Sequence, residues 1–393
     1  MLKTVSRILS FILLTGTCMW SCRPHPKQVD RSPFLIDTTM FDTSDSTHLG
    51  CTPAEGTQSF RVFTPDSNDN RFNNGVVMIG FKGKLYCQWQ SSRTDEDAPD
   101  THVVYSVGKN DSTWTSPQLL SPAIPDGFCT SGGWWATADT LVAYINIWRL
   151  DESVYAAYTS STDGANWSTL RPVLMANGDT LNGIFEQDPH ALPDGRIISA
   201  AHFTPDIRVN PIYTDDALGI RGWKKADYTL LPSTGEKSRE MEPSWFLRGT
   251  DSLVMTFRDQ QSSFHRLASV STDRGESWTT PELTAMPDSR SKQSAGNLPD
   301  GTAFMVGNPV NYKLRVPLVV SLSATGANFN TSYLLRSGGD DLQPLRYPGK
   351  AKRPGYHYPK SMIWQDALYV AYATNKEDVE YTKVPLENLK VKD

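Results

Sequence analysis

Cysteine is scarce, with five in 393 residues, and two of these, Cys18 and Cys22, fall at the very start of the chain. The other three, Cys51, Cys87 and Cys129, allow at most one disulfide and leave one thiol over. No CxxC pair and no ligand-spaced Cys/His cluster occurs, so the sequence gives no argument for a transition metal. The three cysteines read as core residues. No cofactor is expected, and a structural calcium ion is left open. Long basic runs are absent too. Lys and Arg total 38 against 43 Asp and Glu, a net charge of −5, which argues against a nucleic-acid phosphate backbone as partner. Helical segments have little room, because 27 Gly and 26 Pro break the chain into short pieces and favour strands joined by turns. Aromatic residues, by contrast, are plentiful: 15 Phe, 15 Tyr and 11 Trp are enough to bury a substantial core. At roughly 150 residues per domain the length alone suggests two or three domains.

Met1 to Cys22 reads as an export signal. Lys3 and Arg7 supply positive charge, Ile8 to Leu14 are mostly apolar, and Thr15, Gly16 and Thr17 are small. The apolar stretch is too short to cross a bilayer as a stable helix. The segment resembles a bacterial lipoprotein signal, in which a cysteine becomes the lipidated first residue. Cys22 is the favoured site over Cys18, because Ser21 precedes it and a polar, Pro-containing stretch (Arg23, Pro24, Pro26) follows. The protein is therefore expected to be exported and held at the outer leaflet of a membrane by a lipid, in the periplasm or at the cell surface. Residues 23–58, rich in Ser, Thr, Asp and Pro, read as a polar tether and entry segment.

A repeat organises the rest. Ser271-Thr-Asp-Arg-Gly-Glu-Ser-Trp278 is a Ser-x-Asp-x-Gly-x-x-Trp turn, and Ser161-Thr-Asp-Gly-Ala-Asn-Trp167 is the same device one residue shorter. Looser copies end at Trp114, Trp223 and Phe329, so successive aromatics lie 53, 56, 55 and 51 residues apart. In such turns the Asp and Ser side chains bond nearby backbone N–H groups, Gly takes a positive φ, and the aromatic packs below. Asp163 and Asp273 are thus structural. A second marker keeps the same period: short turns at Lys82-Gly83, Asp139-Thr140, Asp194-Gly195, Gly249-Thr250-Asp251, Asp300-Gly301 and Gln365-Asp366 precede strand-like runs such as Leu141-Val-Ala-Tyr144. One antiparallel sheet per repeat cannot hide its own apolar surface, whereas six sheets packed radially bury both faces. The expectation is an all-β, six-bladed β-propeller of four-stranded antiparallel blades over residues 59–393. A single ring then replaces the two or three domains suggested by length.

The innermost strands of a propeller converge on one axis, so their starts form a ring of side chains at one mouth. Counting back eight residues from the six turns gives Asn74, Ser131, Glu186, Lys292 and Tyr358, with Glu242 or Pro243 for the fourth blade. That set is polar and charged, as a binding or catalytic pocket requires.

With these residues in place the chain resembles the sialidase superfamily of Asp-box propellers over roughly residues 60 to 386. Glu240-Met-Glu242-Pro-Ser-Trp245, followed by Leu253-Val-Met-Thr-Phe-Arg258, is similar to the stretch carrying the catalytic Glu and a carboxylate-binding Arg. The run from Asn308 to Arg315 is similar to the stretch carrying another such Arg, and Gly355-Tyr-His-Tyr358 to the segment with the tyrosine nucleophile. The loop Asp95-Glu96-Asp97 lies where the family's acid/base Asp occurs. The family's first Arg, in a Phe-Arg-Ile-Pro motif ten residues before a Gly like Gly83, would fall at Asn73; the nearest cation is Arg71. The resemblance implies a sialidase-like, exo-acting glycoside hydrolase that releases an acidic sugar from glycans. Tyr358 and Glu242 would be the nucleophile pair, Asp95 or Asp97 the acid/base, and Arg258, Arg315 and Arg71 the carboxylate clamp. Lys292, Glu186, Asn74 and His202 would line the substrate site. Two other readings stay open. One is a polysaccharide lyase that removes the C5 proton of a uronate through Tyr358 and a histidine, His202 or His265. The other is a non-catalytic glycan-binding propeller using Trp134, Trp135 and Trp148 as platforms.

Overall fold

The computed structural model describes residues 32–392 apart from positions 122, 123, 125, 152 and 188. Cys18, Cys22 and the rest of the export signal lie outside the described residues. From Ser32 onward the chain forms one compact unit, in which six antiparallel sheets follow one another in sequence.

Blade 1 runs from its inner strand Phe72–Phe81 through Lys84–Ser92 and His102–Asn110 to short outer strands at Thr113–Trp114 and Gln118–Ser121. Blade 2 is Gly127–Ala136, Leu141–Arg149, Val154–Ser161 and Arg171–Pro172. Blade 3 has an inner strand broken into Gly183–Phe185 and His190–Ala191, followed by Ile197–Phe203, Arg208–Thr214 and Lys224–Lys225. Blade 4 is Glu240–Arg248, Ser252–Asp259, His265–Ser271 and Glu282–Pro287, and blade 5 is Ser294–Asn297, Ala303–Gly307, Leu318–Ser323 and Thr331–Arg336. Blade 6, Tyr356–Trp364, Ala367–Thr374 and Asp378–Pro385, takes its outer strand from the other end of the chain, Gln58–Phe63. Pairing of Ser59 with Thr382 thus closes the ring by backbone hydrogen bonds. All six short turns read from the sequence join the first to the second strand of a blade.

Burial explains why the ring closes. The main apolar clusters lie between neighbouring blades, not within them. Trp89 of blade 1 packs with Tyr369 and Tyr381 of blade 6, and Tyr86 of blade 1 with Trp134 of blade 2. Tyr144 of blade 2 meets Phe185 and Trp223 of blade 3, and Ile198 of blade 3 meets Trp245 and Phe257 of blade 4. Phe246 of blade 4 meets Met305 and Phe329 of blade 5, and Leu318 of blade 5 meets Tyr356 and Tyr372 of blade 6. Each sheet hides one face on each neighbour, so removing one blade would expose two faces.

The Asp-box turns sit between third and fourth strands and do the structural work expected. Asp163 accepts from the backbone N–H groups of Ala165 and Asn166 at 2.9 and 2.8 Å, while Ser161 Oγ accepts from Gly164 N–H at 2.8 Å. Those bonds, first among them the one from Asn166, hold the Asp163 carboxyl well below the ordinary range. Gly164 has φ 73°, and a Cβ there would stand 2.0 Å from the Tyr86 hydroxyl.

One expectation changes. The entry segment is not a tether from Ser32 onward: Phe34 and Leu49 are buried, and Leu35–Ile36 pairs in parallel with Asn328–Phe329. Its polar residues had suggested solvent, but Asp37, Asp42 and Asp45 bond turn backbone and hydroxyls within the segment. Cys51, Cys87 and Cys129 are buried, as core residues are expected to be, and no disulfide joins them.

Candidate active site

Four inner strands share one irregularity near their start. Between Asn74 and Val77, Ser131 and Gly133, Met241 and Ser244, and His357 and Lys360, one extra residue is inserted against the neighbouring strand. A bulge of this kind turns a side chain out of the pleat. The residue with left-handed φ in each is Gly75, Gly133, Glu242 (52°) or Tyr358 (54°). In blades 1 and 2 that position is glycine, which takes the conformation freely. In blades 4 and 6 it is a carboxylate and a phenol, for which the left-handed region costs roughly 1–2 kcal/mol. Strain of this kind clusters at functional sites, which makes these two positions the candidates for chemistry.

Around these two, blades 3 to 6 supply charge. Arg258 Nη1 lies 2.7 Å from a Glu242 carboxylate oxygen. Burial opposes the Glu242 charge, but Arg258, Lys292, Arg315 and His202 outweigh it and hold the carboxyl below its ordinary value. Burial likewise opposes the Arg258 charge, while Glu242 and the Tyr358 phenol hold its pKa above normal. The Arg315 guanidinium stands 4.6 Å from the centre of the Tyr358 ring, and Lys292 and Lys376 lie 5.7 and 5.4 Å from the same ring. Arg315 Nη1 donates to His357 Nδ1 at 2.6 Å, and His357 Nε2–H donates to the Arg353 carbonyl at 2.9 Å. An arginine keeps its protons, so Nδ1 must be the acceptor and His357 is neutral. Burial, with Arg315 and Lys376 beside it, pushes the His357 pKa well below normal. His357 thus fixes Arg315 over the tyrosine.

The floor of this cup is a polar plug. Lys292 Nζ donates to Glu186 at 3.0 Å and to Gln187 at 2.9 Å, and Gln187 Nε2 donates to the Gly75 carbonyl at 2.8 Å and to Ser131 Oγ at 3.1 Å. Gln187 therefore spans from blade 3 to blades 1, 2 and 5 across the axis. Beyond it an apolar cavity of about 380 Å³ is lined by Trp134, Trp135, Trp245 and Met362. That cavity carries none of the acid or arginine groups of the cup.

At the rim, Asp97 is exposed and has φ 55°. Its carboxyl is nevertheless hemmed in by protein. That surrounding, with Glu96 beside it, pushes its pKa up to about 6 against the pull of Lys376, Lys350 and Lys237. Asp95 plays a different part, since its carboxylate accepts from Lys350 N–H at 2.7 Å and ties the loop to blade 6. Glu96 pairs with Lys376 and accepts from Asn74 Nδ2 at 3.4 Å.

Of the residues anticipated from sequence, Tyr358, Glu242, Arg258, Arg315, Lys292, Glu186, Asn74 and Asp97 come together. Three placements differ from expectation. Arg71 lies over the Tyr347 ring at 5.5 Å and points Nε at the Arg93 carbonyl; no contact joins it to Tyr358, Arg258 or Arg315. His202 is 2% exposed, beneath Glu242, with Nε2 3.3 Å from the Glu242 backbone N–H and 3.5 Å from Glu186. Burial lowers its pKa, so it accepts from backbone and positions Glu242 without reaching a ligand. The tryptophans lie away from the cup: Trp134 and Trp135 donate to the carbonyls of Val77 and Ala217 and line the apolar cavity, and Trp148 stacks on Phe128 at 5.4 Å. Gln187, His357 and Lys376 were not anticipated. Gln187 follows Glu186 in a blade whose inner strand is broken, and Lys376 comes from a hairpin with no sequence marker. Behind Arg258 its cross-strand neighbour Arg266 is 2% exposed and Asp288 is 1% exposed. Burial pushes the Asp288 carboxyl up to about 6 against the pull of Arg266, Arg258 and Arg315. Among the described residues no three His, Cys, Asp or Glu side chains are grouped so as to hold a metal ion.

Comparison with known proteins bears on the fold. No curated protein sequence matches the chain. Among solved structures, a sialidase superposes with a TM-score of 0.65 at 17% identity, covering 90% of this chain and 35% of its own; the chain thus spans about a third of that protein. The intramolecular trans-sialidase from Ruminococcus gnavus, solved with oseltamivir carboxylate, gives 0.63 at 12% identity, covering 88% of this chain and all of its own. A Dyadobacter fermentans protein of unknown function gives 0.64 at 15% identity, covering 84% of this chain and 99% of its own. Residues 83–370 match the BNR repeat-like domain. With its Asp-box turns, six blades and this match over most of its length, the chain belongs to the BNR repeat-like domain family, and its propeller has the fold of the sialidases on which it superposes.

Proposed function

We propose that the protein is an exo-acting glycoside hydrolase that releases a terminal acidic sugar from a glycan. The observation that carries this reading is the meeting of Tyr358 and Glu242, both on left-handed bulge residues, with Arg258 and Arg315 in one cup. A phenol is a weak nucleophile at neutral pH and needs a base to take its proton. Glu242, ionised through its cationic neighbours, is the candidate. A neutral nucleophile also avoids the repulsion that a carboxylate would exert on an anionic sugar. Arg258 and Arg315 would hold the sugar carboxylate through paired N–H donors.

In the proposed sequence the Tyr358 oxygen attacks the anomeric carbon as its proton passes to Glu242, while Asp97 protonates the departing glycosidic oxygen. Water, deprotonated by the Asp97 carboxylate, then breaks the sugar–tyrosine bond, and Glu242 returns its proton to Tyr358. Two displacements on one carbon give net retention. The plug formed by Gln187 closes the cup below, which suits a chain end and not a chain passing through. Of the alternatives, the lyase reading leaves His202 without access to a ligand and would fall to His265, while the binding reading would use Trp134 and Trp135 only where they line the apolar cavity beyond the plug, away from the cup.

The test is Tyr358→Phe, assayed on aryl glycosides of sialic and other ulosonic acids. Hydrolysis should vanish while binding of the free sugar acid is retained. Full activity in this variant removes the nucleophile assignment. A product absorbing as a conjugated unsaturated uronate, formed from uronate oligosaccharides by the wild type, would establish the lyase instead.

A further inference from the structure

The apolar cavity beyond the plug has no part in the proposed hydrolysis, and its walls define what it can hold. Every inner strand contributes to it: Ile79, Trp135, His190, Trp245, Gly296 and Met362 come from blades 1 to 6 in turn. It therefore lies on the propeller axis. A Cβ on Gly296 would stand 2.9 Å from the Phe304 ring and 3.6 Å from His190, intruding between two residues of the wall. The lining residues nearest the six short turns, Ala136, Ala191 and Ile363, are half-buried or exposed. The cavity thus opens on the face opposite the cup.

The wall offers a ligand no charge partner, since none of the described residues that line it is Asp, Glu, Lys or Arg. Its hydrogen-bonding groups are committed to protein. Asn297 donates to and accepts from the Leu247 backbone at 2.9 and 2.7 Å, and Ser361 shares a bond of 2.7 Å with Ser294. Trp134, Trp135 and Trp245 each donate to a backbone carbonyl, at 3.0, 2.9 and 3.2 Å. The His190 ring lies against Trp245 at 5.4 Å. An ion would lose its hydration here without a counter-charge, and a sugar would bury hydroxyls with few partners left. What remains to be touched are indole faces, thioethers and aliphatic groups, which suit an aromatic ring. An apolar cavity of about 150 Å³ takes one benzene ring, so a volume of about 380 Å³ has room for two fused rings.

We infer that this cavity is a second ligand site, one that takes an uncharged planar aromatic molecule through the face opposite the cup. Gln187 is both its roof and the floor of the cup, so two ligands can be held on opposite sides of one side chain. The inference does not depend on the acidic-sugar reading of the cup.

The experiment is equilibrium dialysis of the full chain against naphthalene and against naphthalene-2-sulfonate, which carries the same rings and a charge. Naphthalene should bind saturably, and the sulfonate at least about tenfold more weakly, because its charge must be desolvated. Ala136→Phe and Ala191→Phe each place a ring at the mouth from a position that is not fully buried, and each should weaken naphthalene at least about tenfold by taking the volume it needs. Arg258→Met, altered in the cup, should bind naphthalene as the wild type does. The inference is overturned if the wild type shows no saturable binding of naphthalene, or if the sulfonate binds as tightly. It is equally overturned if both filled variants bind naphthalene normally, or if Arg258→Met loses it, since the rings would then sit in the cup.

Discussion

If Asp97 donates the proton to the leaving oxygen, the pH dependence of hydrolysis follows from its surroundings. Its pKa of about 6 means the acid form makes up roughly 90% at pH 5, half at pH 6 and a tenth at pH 7. With an alkyl glycoside, whose leaving group needs the proton, kcat/KM should fall about tenfold between pH 5 and pH 7. Asp97→Asn should remove that limb and lower the rate by about 10²–10⁴. With an aryl glycoside, whose leaving group departs unaided, the same variant should lose far less. Neighbouring charges give signed checks. Glu96 raises this pKa and Lys376 lowers it, so Glu96→Gln should move the limb to lower pH and Lys376→Met to higher pH. The assay is initial rate against pH for both substrates and all four proteins. A limb near pH 6 that survives Asp97→Asn with the alkyl substrate, or an equal loss on both substrates, refutes the assignment.

Two further predictions concern stability. Asp288 is fully buried and its folded pKa of about 6 lies above the unfolded carboxylate value, so the folded state holds this proton more tightly. Its burial penalty is fully present above pH 6 and is relieved as pH falls from 6 towards 4, a swing of up to about 3 kcal/mol. Asp288→Asn should therefore flatten the pH dependence of the thermal midpoint across that window, and an unchanged profile would count against a charged Asp288 at neutral pH. Trp89 is fully buried, donates to Asn73 Oδ1 at 2.9 Å and stacks on Phe63 of the closing strand at 5.8 Å. Trp89→Ala should cost about 3–5 kcal/mol in denaturant unfolding; a loss below 1 kcal/mol would mean that the seam between first and last blades contributes little.

The repeat was legible because its signals are local. A Gly-containing turn followed by a β-rich run, and an aromatic that closes each Asp-box, depend on residues within about ten positions of one another. Six such units imply a ring, since a single sheet cannot bury both its faces. The ring in turn gave Asn74, Ser131, Glu186, Lys292 and Tyr358 by counting, with Glu242 or Pro243 for the fourth blade. The polar segment from Ser32 was misjudged because composition does not reveal that its aspartates are consumed by turns while Phe34 and Leu49 are buried. Arg71 was placed by distance along the chain, and the Tyr347 ring, from far along the sequence, claims it.

By itself, then, the sequence determined the number of blades, the turns that shape them and the residues at the start of each inner strand, all of which follow from short-range backbone chemistry. Only the tertiary structure decided which side chains share the cup. The bulges that aim Glu242 and Tyr358 depend on pairing with a neighbouring strand. The convergence of Arg258, Arg315 and Lys376 on one phenol, and the engagement of Asp95 with the Lys350 backbone, require blades far apart in the chain to be brought onto a common axis. Contacts of that kind carry no periodic mark, because each joins two stretches whose local sequence is indifferent to the other.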